Sequence, residues 1–162
     1  QLDQFSKSYR NNSTEQHNKF PLDVTYFYQR DSKTGHGERS CQSSAIAMAV
    51  EYINPSLIKD DDDYLKIVLR YGDTVSQAAQ SKALDSLGLK TTFFTNGAET
   101  NLLKILDRGY PVPIGILHKG SISSPSGGGH WITLIGYDNK YFHVHDPFGE
   151  LDLVMVLGFK RE

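Results

Sequence analysis

The chain has a single cysteine, Cys41, and the residues around it decide whether that thiol is packing or chemistry. It stands ahead of a segment, Ala45 to Ile53, that is apolar almost all round and is closed by Asn54 and Pro55. That pattern predicts a buried helix with Cys41 at its N-terminus and Ser40 as N-cap. Unpaired backbone N–H groups and the positive end of the helix dipole favour thiolate over thiol there, and the thiolate is the nucleophile. Taken alone, a lone cysteine is as well explained as a small buried core residue. His130 changes the balance. It follows Gly127, Gly128 and Gly129 and precedes the only tryptophan, Trp131. Three glycines before a histidine are poorly explained by strand stability, whereas they allow close backbone approach.

Asp146 completes the pattern. Residues 130 to 137 alternate β-branched and aromatic types, Asp138, Asn139 and Lys140 supply a turn, and Tyr141 to His145 reads as the return strand. With a two-residue loop at Asp138 and Asn139, His130 falls opposite Pro147 and Asp146 lies one residue from direct register. An imidazole beside a carboxylate is the base and orienter half of a nucleophilic triad. Gln29, upstream of the cysteine, is a candidate donor to an oxyanion alongside the Cys41 N–H, although a solvated loop glutamine is the ordinary reading.

The elements needed to position these groups are an α+β set. Residues 1 to 20 are polar and read as an arm or linker remnant, leaving 21 to 162 as one domain. Leu22 to Tyr28 reads as extended, and Gln29 to Ser40 as a polar loop. After the Cys41 helix, Lys59 to Tyr71 predicts an amphipathic helix with Asp60 to Asp63 at its positive end. Thr74 to Leu87 predicts a third helix between Asp73 and Gly88, and Glu99 to Asp107 a fourth that stops at Gly109. Thr91 to Thr95, Pro111 to Leu117 and Leu151 to Leu157 read as strands, with a Ser/Gly loop from Lys119 to Gly129. Helices crowd the first two thirds and strands the last third, so the expected fold is N-terminal helices packed on a mostly antiparallel sheet.

Composition narrows the function classes. A chain of 162 residues with 38% hydrophobic and 22% charged residues suits one globular domain. A net charge of −2 without a Lys or Arg run argues against nucleic acid and anionic membranes as partners. No apolar stretch approaches the ~20 residues of a bilayer span. One cysteine excludes an intramolecular disulfide and a multi-thiolate zinc site. The first residue is Gln1, so a processed or trimmed chain with a lost upstream segment is expected.

Gln29, Cys41 at a helix start, His130 in Gly-Gly-Gly-His-Trp, and Asp146 in His-Asp-Pro-Phe-Gly occur in the order that resembles the C39-like branch of papain-like cysteine peptidases. The resemblance runs from about Leu22 to the end, and 124 to 149 is especially similar to C39-like domains of phage lytic and virion proteins. It implies a papain-like α+β fold, Cys41 as nucleophile, His130 as base and acid, Asp146 as orienter and Gln29 as oxyanion donor. Many relatives have Gly-Pro after the cysteine, where this chain has Gln42 and Ser43. The implied substrate is the peptide part of bacterial peptidoglycan, cut without a cofactor by a monomeric, phage-encoded domain that acts on the cell wall. Trp131, Gly129 and His118 are the candidate walls of its cleft, with core packing the competing reading for the tryptophan.

Other classes remain to be weighed. His143 and His145 share a strand face and, with Asp146 or His36, would suit a zinc hydrolase, although no helix carries a His-x-x-x-His pair. Asp60 to Asp63 lacks the spacing of a calcium loop and reads as helix-start charge. Transporter-linked C39 domains cut leaders after a small-residue pair, and a virion binding module could keep the fold without the chemistry.

Overall fold

The computed structural model describes residues 21–95, 97–121 and 124–155. The proposed polar arm at 1–20 lies outside the described residues. Four helices precede four strands among those described: α1 Cys41–Ile53, α2 Asp61–Leu69, α3 Gln77–Ser86 and α4 Glu99–Asp107, then β1 Val112–Ser121, β2 Ser124–Tyr137, β3 Tyr141–His145 and β4 Leu153–Met155. The strands form one antiparallel sheet in the order β1-β2-β3-β4. The fold class expected from sequence is therefore the one observed.

Helix α1 is the central post. Every residue from Gln42 to Val50 is buried, as its all-round apolar pattern requires. Strand β2 is buried on both faces beside it. Ile132 and Leu134 pack with Leu103 and Leu106 of α4, while Ile135 joins the α1–α2–α3 core and the Thr133 hydroxyl donates to the Ala45 carbonyl at 2.7 Å. The polar residues on α1 are matched by partners. Ser43 and Thr74 share a hydroxyl hydrogen bond of 2.7 Å, and Gln80 Nε2 donates to Ser43 Oγ and to the Thr74 carbonyl, both at 2.8 Å. Tyr64 donates to Gln80 Oε1 at 2.7 Å, which completes a buried network between α1, α2 and α3.

Several expectations need correction. Ser40 does not cap α1 with its side chain: its hydroxyl donates to the Gly37 carbonyl at 3.2 Å, and only its own carbonyl enters the helix, accepting from Ser44 N–H at 2.8 Å. The second helix is shorter than Lys59 to Tyr71, because Asp60 takes the cap by accepting from Asp63 N–H at 2.9 Å. The third starts at Gln77 rather than Thr74, since Ser76 accepts from Ala79 N–H. Thr91 to Thr95 forms no strand. The alternation is present, with Phe93 packed on the core and Phe94 exposed, but the sheet ends at β1 and offers no partner. Leu22 to Tyr28 is likewise extended without a ladder, touching the sheet through Leu22 N–H to the Ile135 carbonyl at 2.7 Å.

The largest difference is Lys119 to Gly129. This stretch is not a loop. Strands β1 and β2 continue as a long hairpin to Ser121 opposite Ser124. Backbone pairing with a neighbour overrides the weak strand propensity of Ser and Gly. The register slips by one between Leu117 and Lys119, so that Gly127 and Gly128 face one residue, His118. Gly127 has φ +87, the left-handed conformation that such a bulge asks of glycine.

Candidate active site

Cys41 occupies the first position of α1 and is half-buried. Its thiol is hydrogen-bonded to the His130 side chain and to the backbone N–H groups of Trp131 and Gln42. Burial pushes the thiol up, but these hydrogen bonds and the His130 charge outweigh it and hold the group below the ordinary thiol range. The Gln42 N–H is available because the Ser40 hydroxyl has turned away to Gly37 and plugs none of the first-turn amides.

His130 lies on β2 opposite Ile116. Its Nε2 meets Asp146 Oδ1 at 2.6 Å, which leaves Nδ1 for the Cys41 sulfur. The bonds to Asp146 and Cys41 raise the imidazole to about 9, against the opposing effect of burial. Both shifts favour the thiolate and imidazolium forms of the pair, which titrates as a unit.

Asp146 is 3% exposed and still ionised. Burial favours its neutral form, but four donors prevail. Oδ1 accepts from His130 and from Phe148 N–H at 2.9 Å; Oδ2 accepts from Glu150 N–H at 3.1 Å and Leu151 N–H at 3.0 Å. The turn bearing this carboxylate is strapped from outside by the 21–29 segment. Tyr26 donates its hydroxyl to the Asp146 carbonyl at 2.6 Å, and Gln29 N–H donates to the Pro147 carbonyl at 2.9 Å.

The hairpin register that brings His130 and Asp146 together differs from the sequence expectation. Tyr137 pairs with Phe142, so the connection is longer than two residues, and Ile135 is an extra residue on β2. Beyond it Thr133 pairs with His145. One further step sets Asp146 level with Ile132, two residues from His130 and on the same side of the strand. The two-residue loop would have set Asp146 level with Trp131, on the opposite side. The neighbours were named correctly and the register was not.

Gln29 sits in a 3-10 turn, Gln29–Asp31, and is 1% exposed. Its Nε2 donates to the Gly37 carbonyl at 2.7 Å, and its Oε1 is buried without a hydrogen-bond partner among the described residues. It is thus no solvated loop residue. A Cβ on Gly37 would lie 2.7 Å from the Gln29 carbonyl, so only glycine lets this turn and the one at Gly37–Arg39 touch.

The remaining candidates are dispersed. Trp131 is half-buried and lies against Gly115 and Phe93, its ring 6.4 Å from the latter, so much of the indole is packing. Gly129 is exposed on β2 opposite Leu117. His118 lies at the bulge of β1, and its side chain is outside the described residues. His143 and His145 do share a face of β3, but His143 pairs with Asp138 at 3.1 Å and His145 Nε2 donates to the Val24 carbonyl at 2.8 Å. Among the described residues no group of three or more His, Cys, Asp or Glu is placed to hold a metal, so the zinc set considered from sequence is not assembled. Nor is any described helix long and apolar enough to cross a membrane.

Sequence reasoning missed Phe148 and Arg30. Phe148 stands edge-on to the His130 ring with centroids 6.4 Å apart, and the Arg30 guanidinium lies 4.8 Å over the other aromatic contact, the Phe148 ring centroid. Their signals were adjacency alone: Phe148 is two residues from Asp146, and Arg30 follows Gln29.

A thiol, an imidazole and a donor-fixed carboxylate thus stand in sequence at a helix start beside an antiparallel sheet. Residues 21–156 match the model of the Peptidase_C39-like family, and the chain belongs to that family. It is similar to a crystal structure of a candidate C39-like peptidase from Bacillus anthracis, at 17% identity and a TM-score of 0.60, over 86% of this chain and 89% of that one. No curated protein matches the chain.

Proposed function

We propose that this domain is a cysteine endopeptidase in which Cys41 is the nucleophile, His130 the general base and acid, and Asp146 the orienting carboxylate. The observation that carries the reading is the continuous hydrogen-bonded path from the Cys41 thiol through His130 to Asp146. The thiolate attacks an amide carbonyl, forming a carbon–sulfur bond and an oxyanion. The Cys41 N–H and the second Nε2 proton of Gln29 are the donors to that oxyanion. His130 gives its proton to the leaving amine as the carbon–nitrogen bond breaks. It then takes one from water, which attacks the thioester and releases the acid and the thiol. None of these steps calls for a cofactor.

The substrate we infer is the peptide of bacterial peptidoglycan, with the domain acting as a phage-type lysin on the cell wall. This rests on the resemblance of the Ser124 to Gly149 run to phage lytic and virion domains, and Gly129 and Trp131 remain its proposed cleft contacts with His118. The deciding assay sets purified peptidoglycan beside a generic protein such as casein. New amino groups released from the wall, without new reducing ends, are expected. Iodoacetamide should abolish that release and chelators should spare it. Reducing ends from the wall, or loss of activity to chelator alone, would overturn the reading.

A further inference from the structure

The aromatic neighbour of His130 carries a feature the mechanism does not use. Phe148 packs edge-on against the imidazole, and Arg30 spreads its guanidinium over the Phe148 ring. The arginine is held in place at its root. Its neighbour Gln29 is tied to the Gly37 and Pro147 carbonyls, so the turn bearing Arg30 and the turn bearing Phe148 are joined by a main-chain hydrogen bond. The guanidinium itself is only partly engaged. Its partners among the described residues are the Phe148 face and Glu38, the latter through Nε at 3.6 Å, and the two side chains are 46% and 75% exposed. So exposed a pair contributes little, and a better-placed carboxylate can displace it.

The position of this cation is informative. His130 must reach the leaving nitrogen to protonate it, so groups stacked on the imidazole border the part of the cleft that receives the leaving half of the substrate. A guanidinium held over an aromatic ring keeps N–H donors at its edge, and two of them can grip a carboxylate. The chain as a whole is slightly acidic, with a net charge of −2, so Arg30 acts locally and not as part of a general attraction.

We propose that Arg30, stacked on Phe148, is a specificity-determining residue that binds a carboxylate on the leaving-group half of the peptide substrate. The inference rests on the peptidase reading above and extends it to a substrate class: acidic peptides, cut with the acidic group on the amine side of the scissile bond.

The test uses two preparations of purified peptidoglycan, one untreated and one with its carboxylates converted to amides by carbodiimide and ammonia. The wild-type protein should release amino groups about tenfold faster from the untreated wall, the scale of one charge-assisted pair. Arg30→Gln should treat the two walls alike, and Arg30→Lys should retain part of the preference. General electrostatics predict the reverse order, because amidation removes repulsion from an acidic protein. Equal rates of wild type on both walls, or a preference that survives Arg30→Gln, would overturn the assignment. A parallel measurement separates this from failure of the peptidase reading. The Cys41→Ala protein, which has no nucleophile, should pellet more with untreated than with amidated wall, and Arg30→Gln in that background should erase the difference. If neither wall is cut but pelleting behaves so, the peptidase reading fails and the carboxylate site stands. If pelleting ignores amidation or does not occur, the carboxylate site falls.

Discussion

Asp61 and Asp146 are both carboxylates removed from water, 7% and 3% exposed, and their pKa values move in opposite directions. Asp61 opens α2 and meets Ser44 Oγ of α1 at 2.5 Å. Burial dominates there, the charges of Asp62 and Asp31 add to it, and its pKa is raised. Asp146 has four donors and a cationic ring, and its pKa is lowered. Burial by itself therefore favours the neutral form of an acid. Keeping one charged at the same depth takes a turn whose amides all converge on it, and such a turn is the mark of a group held for use.

The largest effect expected from this contrast is on rate. Asp146→Ala should lower kcat/KM by about 10²–10⁴-fold, by analogy with removal of the orienting carboxylate in other triads, yet by less than Cys41→Ala. Equal losses in the two variants would remove the orienting role. The same carboxylate should set the alkaline end of the pH profile. His130, raised to about 9, carries its proton up to that pH, so activity should fall as pH rises through it. In Asp146→Asn, which offers one acceptor oxygen where four donors converge, that limb should move down toward the ordinary histidine value. A limb that stays near 9 would mean that something other than Asp146 holds the imidazolium.

The smallest effects should come from Asp61 and concern stability. A raised folded pKa gives a contribution that is full below the unfolded carboxylate value and is lost as pH rises through the folded one. Asp61→Asn keeps an acceptor for Ser44, so it should equal or exceed wild-type stability at pH 7, with the two converging near pH 4 in urea denaturation. Asp61→Ala leaves the buried Ser44 hydroxyl unpaired and should cost about 1–3 kcal/mol. Neither change should move kcat/KM by more than about twofold, as expected for a group outside the reacting path. Asp146 has the opposite linkage. Its lowered pKa gives stability present above the unfolded value and lost as pH falls through the folded one.

Much of this was legible in the sequence. The helix opened by Cys41 could be read because the buried stretch from Ala45 to Val50 leaves an unmistakable apolar run before a proline. Helix α4 was read to its ends from its amphipathic spacing, with Leu103 and Leu106 buried and Gly109 at φ +87 stopping it. The proximity of His130 and Asp146 followed from hairpin logic. What escaped was set by partners far away in the chain. The β1–β2 arm is made of residues that prefer turns and becomes strand only because each half pairs with the other. The Ser43–Thr74–Gln80–Tyr64 network looks like ordinary polar helix surface until three helices close on it. Phe148 and Arg30 carry no spacing signal at all, since their meaning lies in what they stack upon.

The extra residue at Ile135 makes the centre sensitive to counting more than to identity. Because side chains in a strand point alternately up and down, inserting or deleting one position within the paired stretch from Ile132 to Gly136, with no second bulge to absorb it, would leave every catalytic candidate in the protein and move the acid to the wrong side of the sheet. Residues along that stretch can be exchanged with the centre intact, whereas a change of length there has to be even or carry its own bulge.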